Sequence, residues 1–260
     1  MKIILIGAGN LATNLGYSLF VAGHKILQVY SRTMESAKML ASQVQAEPTN
    51  QIASVRKDAD AYIFSVKDSV LADLISQISN LVEDKVFIHT AGSMPMDIFK
   101  DKAKHYGVLY PMQSFSKEKR VDFSSIPCFL ESNDNESKAM IEELAGSISG
   151  RIFNMSTDDR KYLHLSAVFA CNFVNHCYAL SHEILKKHNI PFDVMLPLID
   201  ETAGKVHVMD PVDAQTGPAV RYDENVIHRQ AQLLNDNIEL RDIYEKMSKS
   251  IHHLSKLKEK

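Results

Sequence analysis

Cysteine is scarce in this 260-residue chain: only Cys128, Cys171 and Cys177 occur, none sits in a Cys-x-x-Cys pair, and an odd number leaves one over. That excludes a disulfide framework, gives no zinc-site spacing, and fits a reducing compartment. Long apolar runs are missing as well. None approaches the ~20 residues of a spanning helix, and Ile3-Ile4-Leu5-Ile6 is cut by Gly7, too early for the core of a secretion signal. The expectation is a cytoplasmic protein without a membrane partner. An excess of one charge is also absent, the net charge being −3 with the basic residues scattered, so nothing points to nucleic acid. The one dense basic run, residues 256–260, reads as a solvated helix end. There are no internal repeats and no low-complexity stretch.

What is present is a change of pattern near residue 154. Before it, short β-rich runs at residues 2–6, 25–31, 61–66, 86–89, 107–110, 128–131 and 151–153, with a weaker one at 45–47, alternate with helical periodicity at 10–21, 34–44, 69–78, 96–105 and 136–148. That alternation builds a mostly parallel sheet flanked by helices. After it, residues 157–188 contain no Pro or Gly and carry Asp158 and Asp159 in the first turn, where the helix dipole favours negative charge, so they predict one long helix ended by Asn189-Ile190-Pro191. Further helices are expected at 192–208, 225–234 and 236–257, with the loop between them punctuated by Asp210-Pro211 and Gly217-Pro218. The fold expected is an α/β Rossmann domain over residues 1–154 followed by an all-helical domain over 155–260. A long apolar helix in so small a domain suggests a homodimer formed through the helical part.

The first run opens directly into Gly7-Ala8-Gly9-Asn10-Leu11-Ala12, a Gly-x-Gly-x-x-Ala string before a helix. Gly7 permits the tight turn, Gly9 lets backbone approach a pyrophosphate, and the small Ala12 lets helix pack on strand, with helix N-terminal amides facing the phosphates. Asn10 is expected at the helix cap. Where NAD-binding chains place a carboxylate for the ribose 2′-hydroxyl, the second strand here ends in Ser31-Arg32-Thr33. Arg32 can pair with a 2′-phosphate that a carboxylate would repel, and the two hydroxyls can donate to it, so NADP(H) is expected. Two further strand ends, Ser65-Val66-Lys67-Asp68 and His89-Thr90-Ala91-Gly92-Ser93, should cover the ribose and nicotinamide.

These segments, with Tyr110-Pro111-Met112-Gln113-Ser114-Phe115 and Thr216-Gly217-Pro218-Ala219-Val220-Arg221, resemble over nearly the whole chain a family of Rossmann-like NADP oxidoreductases with a helical C-terminal domain of unassigned function. The family is similar in turn to pyrroline-5-carboxylate reductases, ketopantoate reductases, 6-phosphogluconate dehydrogenases and deazaflavin-dependent NADP reductases. The resemblance implies NADP(H) binding, an active site between the domains, a dimer through the helical part, and reduction of a small C=O or C=N compound. The Lys and Asn that the hydroxyacid branch carries one turn apart are not reproduced, since Lys161 is followed four residues later by Leu165.

A hydride transfer also needs a proton donor. The candidates are His89, His164, Lys67 and Tyr110; His164 leads because an imidazole titrates near neutrality and lies near the start of the long helix. On a regular helix Asn172 lies about 80° around and roughly 12 Å further along, able to hold a distant end of the substrate. Gln113 and Arg221 are further substrate-side candidates. His176, His182 and His188 turn around the helix, and no metal is expected. The competing reading is a non-catalytic NADP(H)-binding protein that senses redox state or scaffolds a partner.

Overall fold

A computed structural model describes residues 1–258 and falls into two compact units, Met1–Asn172 and Phe173–Lys260. The first is built on eight strands: β1 (Lys2–Ile6), β2 (Lys25–Tyr30), β3 (Glu47–Thr49), β4 (Ala61–Phe64), β5 (Val86–His89), β6 (His105–Pro111), β7 (Cys128–Ser132) and β8 (Ile152–Asn154). They form one sheet in the order 3-2-1-4-5-6-7-8, parallel throughout except for the β6/β7 pair. The chain leaves β1 toward β2 on one side and returns to β4 on the other. In sheets of this order the C-terminal ends of the strands at that reversal, here β1 and β4, are the place where dinucleotides bind.

Period-2 alternation explains why the strands are apolar on both faces. Ile3 and Leu5 of β1 enter one core cluster with Ala12, Leu15 and Leu19 of α1 (Asn10–Val21), Leu40 and Ala41 of α2 (Met34–Gln43), and Leu144 of α4 (Asn135–Ile148). Ile4 and Ile6 enter the other, against Leu71, Leu74, Ile75 and Ile78 of α3 (Asp68–Ser79). A strand covered by helices on both sides has no polar face to show.

The helix expected at 96–105 is a correction. Only a 3-10 turn forms at Met96–Phe99, and His105 already belongs to β6. Asp101 takes a left-handed backbone (φ 62°), which ends any continuing helix. The weak strand also moves, from 45–47 to Glu47–Thr49, because Gln45 sits at φ 53°.

The helix expected to run unbroken from 157 to 188 is broken in register. α5 (Thr157–Ala167) is followed by a π-helical segment, Val168–Phe173, before α6 (Val174–Lys187). Side-chain positions counted at 3.6 residues per turn therefore do not carry across residues 168–173. In the second unit Asn189 (φ 56°) ends α6 in the left-handed conformation that closes many helices. A 3-10 turn at Phe192–Met195 leads into α7 (Leu196–Lys205), followed by α8 (Pro211–Ala214), α9 (Pro218–Arg221), α10 (Glu224–Gln232) and α11 (Ile238–Lys258). Ala219, Ala231 and Leu240 are the buried apolar side chains where α9, α10 and α11 meet. Of the basic terminal run, Glu259 and Lys260 lie outside the described residues. Among the described residues no helix is long and apolar enough to cross a membrane.

Candidate active site

The glycine turn lies at the C-terminal end of β1. Gly7 holds φ 120°, its N–H donates to the Tyr30 carbonyl at 2.8 Å, and a Cβ added to it would overlap the Ser65 carbonyl oxygen. Only glycine fits there, for two reasons at once: the backbone conformation and the close approach of β4's exit. Gly9 is the opposite case, with nothing within 4 Å of where its Cβ would stand. Its bare backbone faces open space, as a bound pyrophosphate requires.

Asn10 was expected to cap α1, and that expectation is corrected. Gly9 is the N-cap residue, Asn10 is the first helical residue, and no side chain caps this end. Elsewhere in the same unit Thr33 caps α2, Asp134 caps α4 and Ser156 caps α5. An uncapped N-terminus beside a glycine turn leaves amide donors free for an anion. Leu11 is half-buried, and Ala8 and Ala12 are buried, so these three shape the turn rather than offering polar contacts.

Beyond β2, Ser31 is half-buried while Arg32 and Thr33 are exposed. The Thr33 hydroxyl oxygen already accepts the Ser36 amide at 3.4 Å, which leaves its proton free to donate. At the exit of β4, Ser65 and Val66 are half-buried and Lys67 is exposed. Thr90, after β5, is buried and turns its hydroxyl inward to the Phe64 carbonyl at 3.4 Å. Its side chain is therefore engaged within the fold and leaves only backbone to meet a cofactor.

The structure brings together one pair that lies 54 residues apart in sequence. The Tyr110 hydroxyl stands 3.0 Å from Nδ1 of His164, with the rings edge to face. Gly92 makes this possible, since a Cβ there would lie 2.6 Å from the same Nδ1 and 2.8 Å from Tyr110 Cζ. Tyr110 is the last residue but one of β6, Gly92 follows β5 and His164 is on α5, so the pair stands at the C-terminal edge of the sheet that also carries Gly7. Burial pushes the Tyr110 hydroxyl's pKa up, and the Arg160 guanidinium opposes that rise.

Of the other candidates, His89 is fully buried and stacked on Phe99, and burial, helped by the charge of Arg160, pushes its pKa down to about 3. An imidazole so placed is neutral at pH 7 and does not reach solvent, which removes it as the donor. Gln113 is exposed beyond β6, its side-chain oxygen accepting the Ser114 amide at 2.8 Å. Asn172 is exposed within the π segment, and the 80° offset reckoned for a regular helix does not apply to it. Arg221 is exposed at the end of α9 in the second unit.

Sequence reasoning missed a second group entirely. Arg160, on α5, is 1% exposed and ion-paired to Glu131 of β7. It also donates to the Met94 carbonyl at 2.8 Å and to Thr157 Oγ1 at 3.2 Å. Within the string Asp158-Asp159-Arg160-Lys161 it looks like one more solvated charge. The only signal was its spacing, one turn before His164.

Comparison with known proteins adds the following. Residues 2–92 match the family described as NADP oxidoreductase, coenzyme F420-dependent, and residues 126–251 match a domain of unknown function, DUF2520. A solved structure from Bacteroides fragilis, provisionally named an NADP oxidoreductase, is 52% identical, with 97% of this chain and 98% of that one aligned at a TM-score of 0.94. An imine reductase from Myxococcus stipitatus, solved with NADP+, aligns over 98% of this chain and 93% of its own at 14% identity and a TM-score of 0.65. A pyrroline-5-carboxylate reductase from Coxiella burnetii aligns over 98% and 97% at 17% identity and a TM-score of 0.58. At those identities the last two share the fold. A search of proteins with curated descriptions returns no match.

Proposed function

Since the chain belongs to the family of Rossmann-type NADP oxidoreductases with a helical C-terminal region, we propose that it transfers a hydride between NADP(H) and a small keto or hydroxy acid or an imine. NADP(H) is the cofactor. Its pyrophosphate fits the open face of Gly9 and the uncapped start of α1, and its 2′-phosphate fits Ser31, Arg32 and Thr33, where no carboxylate stands. When bound, it supplies or accepts the hydride.

The observation that carries the reading is the Tyr110–His164 pair, a hydrogen-bonded donor system at the same sheet edge as the nucleotide turn. A carbonyl or imine that gains a hydride needs a proton, and His164 backed by Tyr110 is the group that gives it. We assign residues 1–154 to nucleotide binding and 155–260 to substrate binding and dimerisation, with a second copy of the chain covering apolar side chains such as Leu198 and Val208, 62% and 79% exposed.

Calorimetric titration with NADPH and NADH tests the cofactor. Tight binding of NADPH alone is expected, and Arg32→Ala should weaken it by roughly 10- to 100-fold, the worth of one charge-assisted contact, with little change for NADH. Equal weakening of both would show that Arg32 does not read the 2′-phosphate, and binding of neither overturns the reading. Oxidation of NADPH by keto acids and cyclic imines then tests the reaction, with His164→Gln expected to lose turnover and keep NADPH.

A further inference from the structure

A cation in a protein interior needs a reason, because stripping its water costs several kcal/mol that a single ion pair does not reliably return. Arg160 is the largest of the fully buried side chains. It is held on three sides: by Glu131, by the Met94 carbonyl in the loop after β5, and by Thr157 Oγ1 one turn back on α5. Glu131 also accepts the Thr157 amide at 2.9 Å and the Thr157 hydroxyl at 2.7 Å. The clamp therefore fixes the first turn of α5 onto β7 and onto the β5 exit together.

The register of the sheet says what else this does. Glu131 pairs with Val108 and Phe129 with Tyr110 across the antiparallel β6/β7 ladder. Directly paired residues share a face, as do residues two apart on one strand, so Glu131 and Tyr110 point to the same side. On that side Leu163 packs against Val108, Tyr110 and Phe129. Arg160, Leu163 and His164 form one i, i+3, i+4 stripe of α5. Anchoring Arg160 on Glu131 thus sets where His164 lies over Tyr110.

We propose that Arg160 is the positioning residue of the Tyr110–His164 pair, fixing His164 in place and holding the hydrogen bond in one sense, with the Tyr110 hydroxyl donating to Nδ1, so that Nε2–H is the proton offered to the substrate. This rests on the reading of the pair given under the proposed function. A hydroxyl that donates gathers negative charge on its oxygen, and the guanidinium stabilises that sense over the reverse. Its influence reaches Tyr110, where it counters the effect of burial, and it reaches His89 on the neighbouring strand. The proton balance closes as a relay. The Nε2–H bond breaks as the O–H or N–H bond of the reduced product forms. The Tyr110 O–H bond breaks as the Nδ1–H bond forms, and solvent then returns a proton to the Tyr110 oxygen.

The test needs no substrate. Long-range proton–nitrogen NMR on the full chain labelled with ¹⁵N-histidine, with the His164 signals assigned by their loss in His164→Gln, shows which ring nitrogen carries the proton. The expected result for the wild type is a proton on Nε2 and an Nδ1 shifted as the acceptor of a fixed hydrogen bond. In Arg160→Met the Nδ1 shift should move toward its tautomer-averaged position, and Arg160→Lys, which keeps the charge without the fork, should recover part of it. A wild-type His164 protonated on Nδ1 overturns the proposal without any variant, and so does an unchanged signal in a folded Arg160→Met protein. NADPH calorimetry on the same samples keeps the two questions apart. Loss of nucleotide binding in the wild type would defeat the cofactor reading and leave the tautomer result standing.

Discussion

The two units solve the problem of burying apolar surface differently. In the first, β1 is covered on both faces and its Ile3 to Ile6 are wholly inaccessible, while Phe153 of β8 and Tyr162 and Leu165 of α5 stay exposed. In the second, few side chains are buried, while Val194, Leu196, Leu198, Val206 and Val208 lie in or beside one helix, each about half or more exposed. Helices layered on both faces of a sheet bury its inner strands, whereas the helices of the second unit leave much of their apolar stripes open. The first unit has a closed core of its own; the second offers apolar surface of the kind that a partner can cover.

The comparison can be broken hardest at Gly7. Valine there must adopt φ 120° and displace the β4 exit, so Gly7→Val is expected to cost at least about 3 kcal/mol by urea denaturation and to abolish NADPH binding. A stable variant that still binds NADPH would mean the turn tolerates a side chain. The second unit is tested by Leu198→Asp combined with Val208→Asp. If a second copy covers these residues, the wild type should sediment as a dimer and melt at a temperature that rises with protein concentration, about 2.7 kcal/mol being at stake at 100 times the dissociation constant. The double variant should sediment as a monomer, and a wild-type monomer at high concentration sinks the idea.

A smaller effect lies inside the closed core. His89 has its pKa depressed in the folded state to about 3 from an unfolded value near 6.5. A depressed group contributes stability that is full above the unfolded value and is lost as pH falls toward the folded one. Between pH 7 and pH 5 the loss is about 2 kcal/mol. Denaturant melts at the two pH values should show it in the wild type and not in His89→Asn, and equal slopes would mean that His89 takes up a proton without unfolding.

Much of the first unit was legible because its signals are local. Seven strong strands, the glycine turn and the missing carboxylate after β2 are read from neighbours in sequence. The failures have physical causes. Residues 96–105 carry helical spacing, yet strand pairing of His105 to Val86 outweighs local propensity. The π segment adds an irregular turn with no Gly or Pro to announce it. The Tyr110–His164 contact joins residues that only the folded sheet brings together, and Arg160 is buried by a partner, Glu131, that lies 29 residues earlier. Fold and cofactor turn are written in short-range pattern, whereas the proton system is written in long-range packing.

The strands at the two ends of the sheet, β3 and β8, are only three residues long, and β3 is Glu47-Pro48-Thr49. A proline cannot donate to a further strand, and three residues make a poor template for edge-to-edge pairing. The broad sheet is thus guarded against open-ended growth into fibres by edge-to-edge pairing.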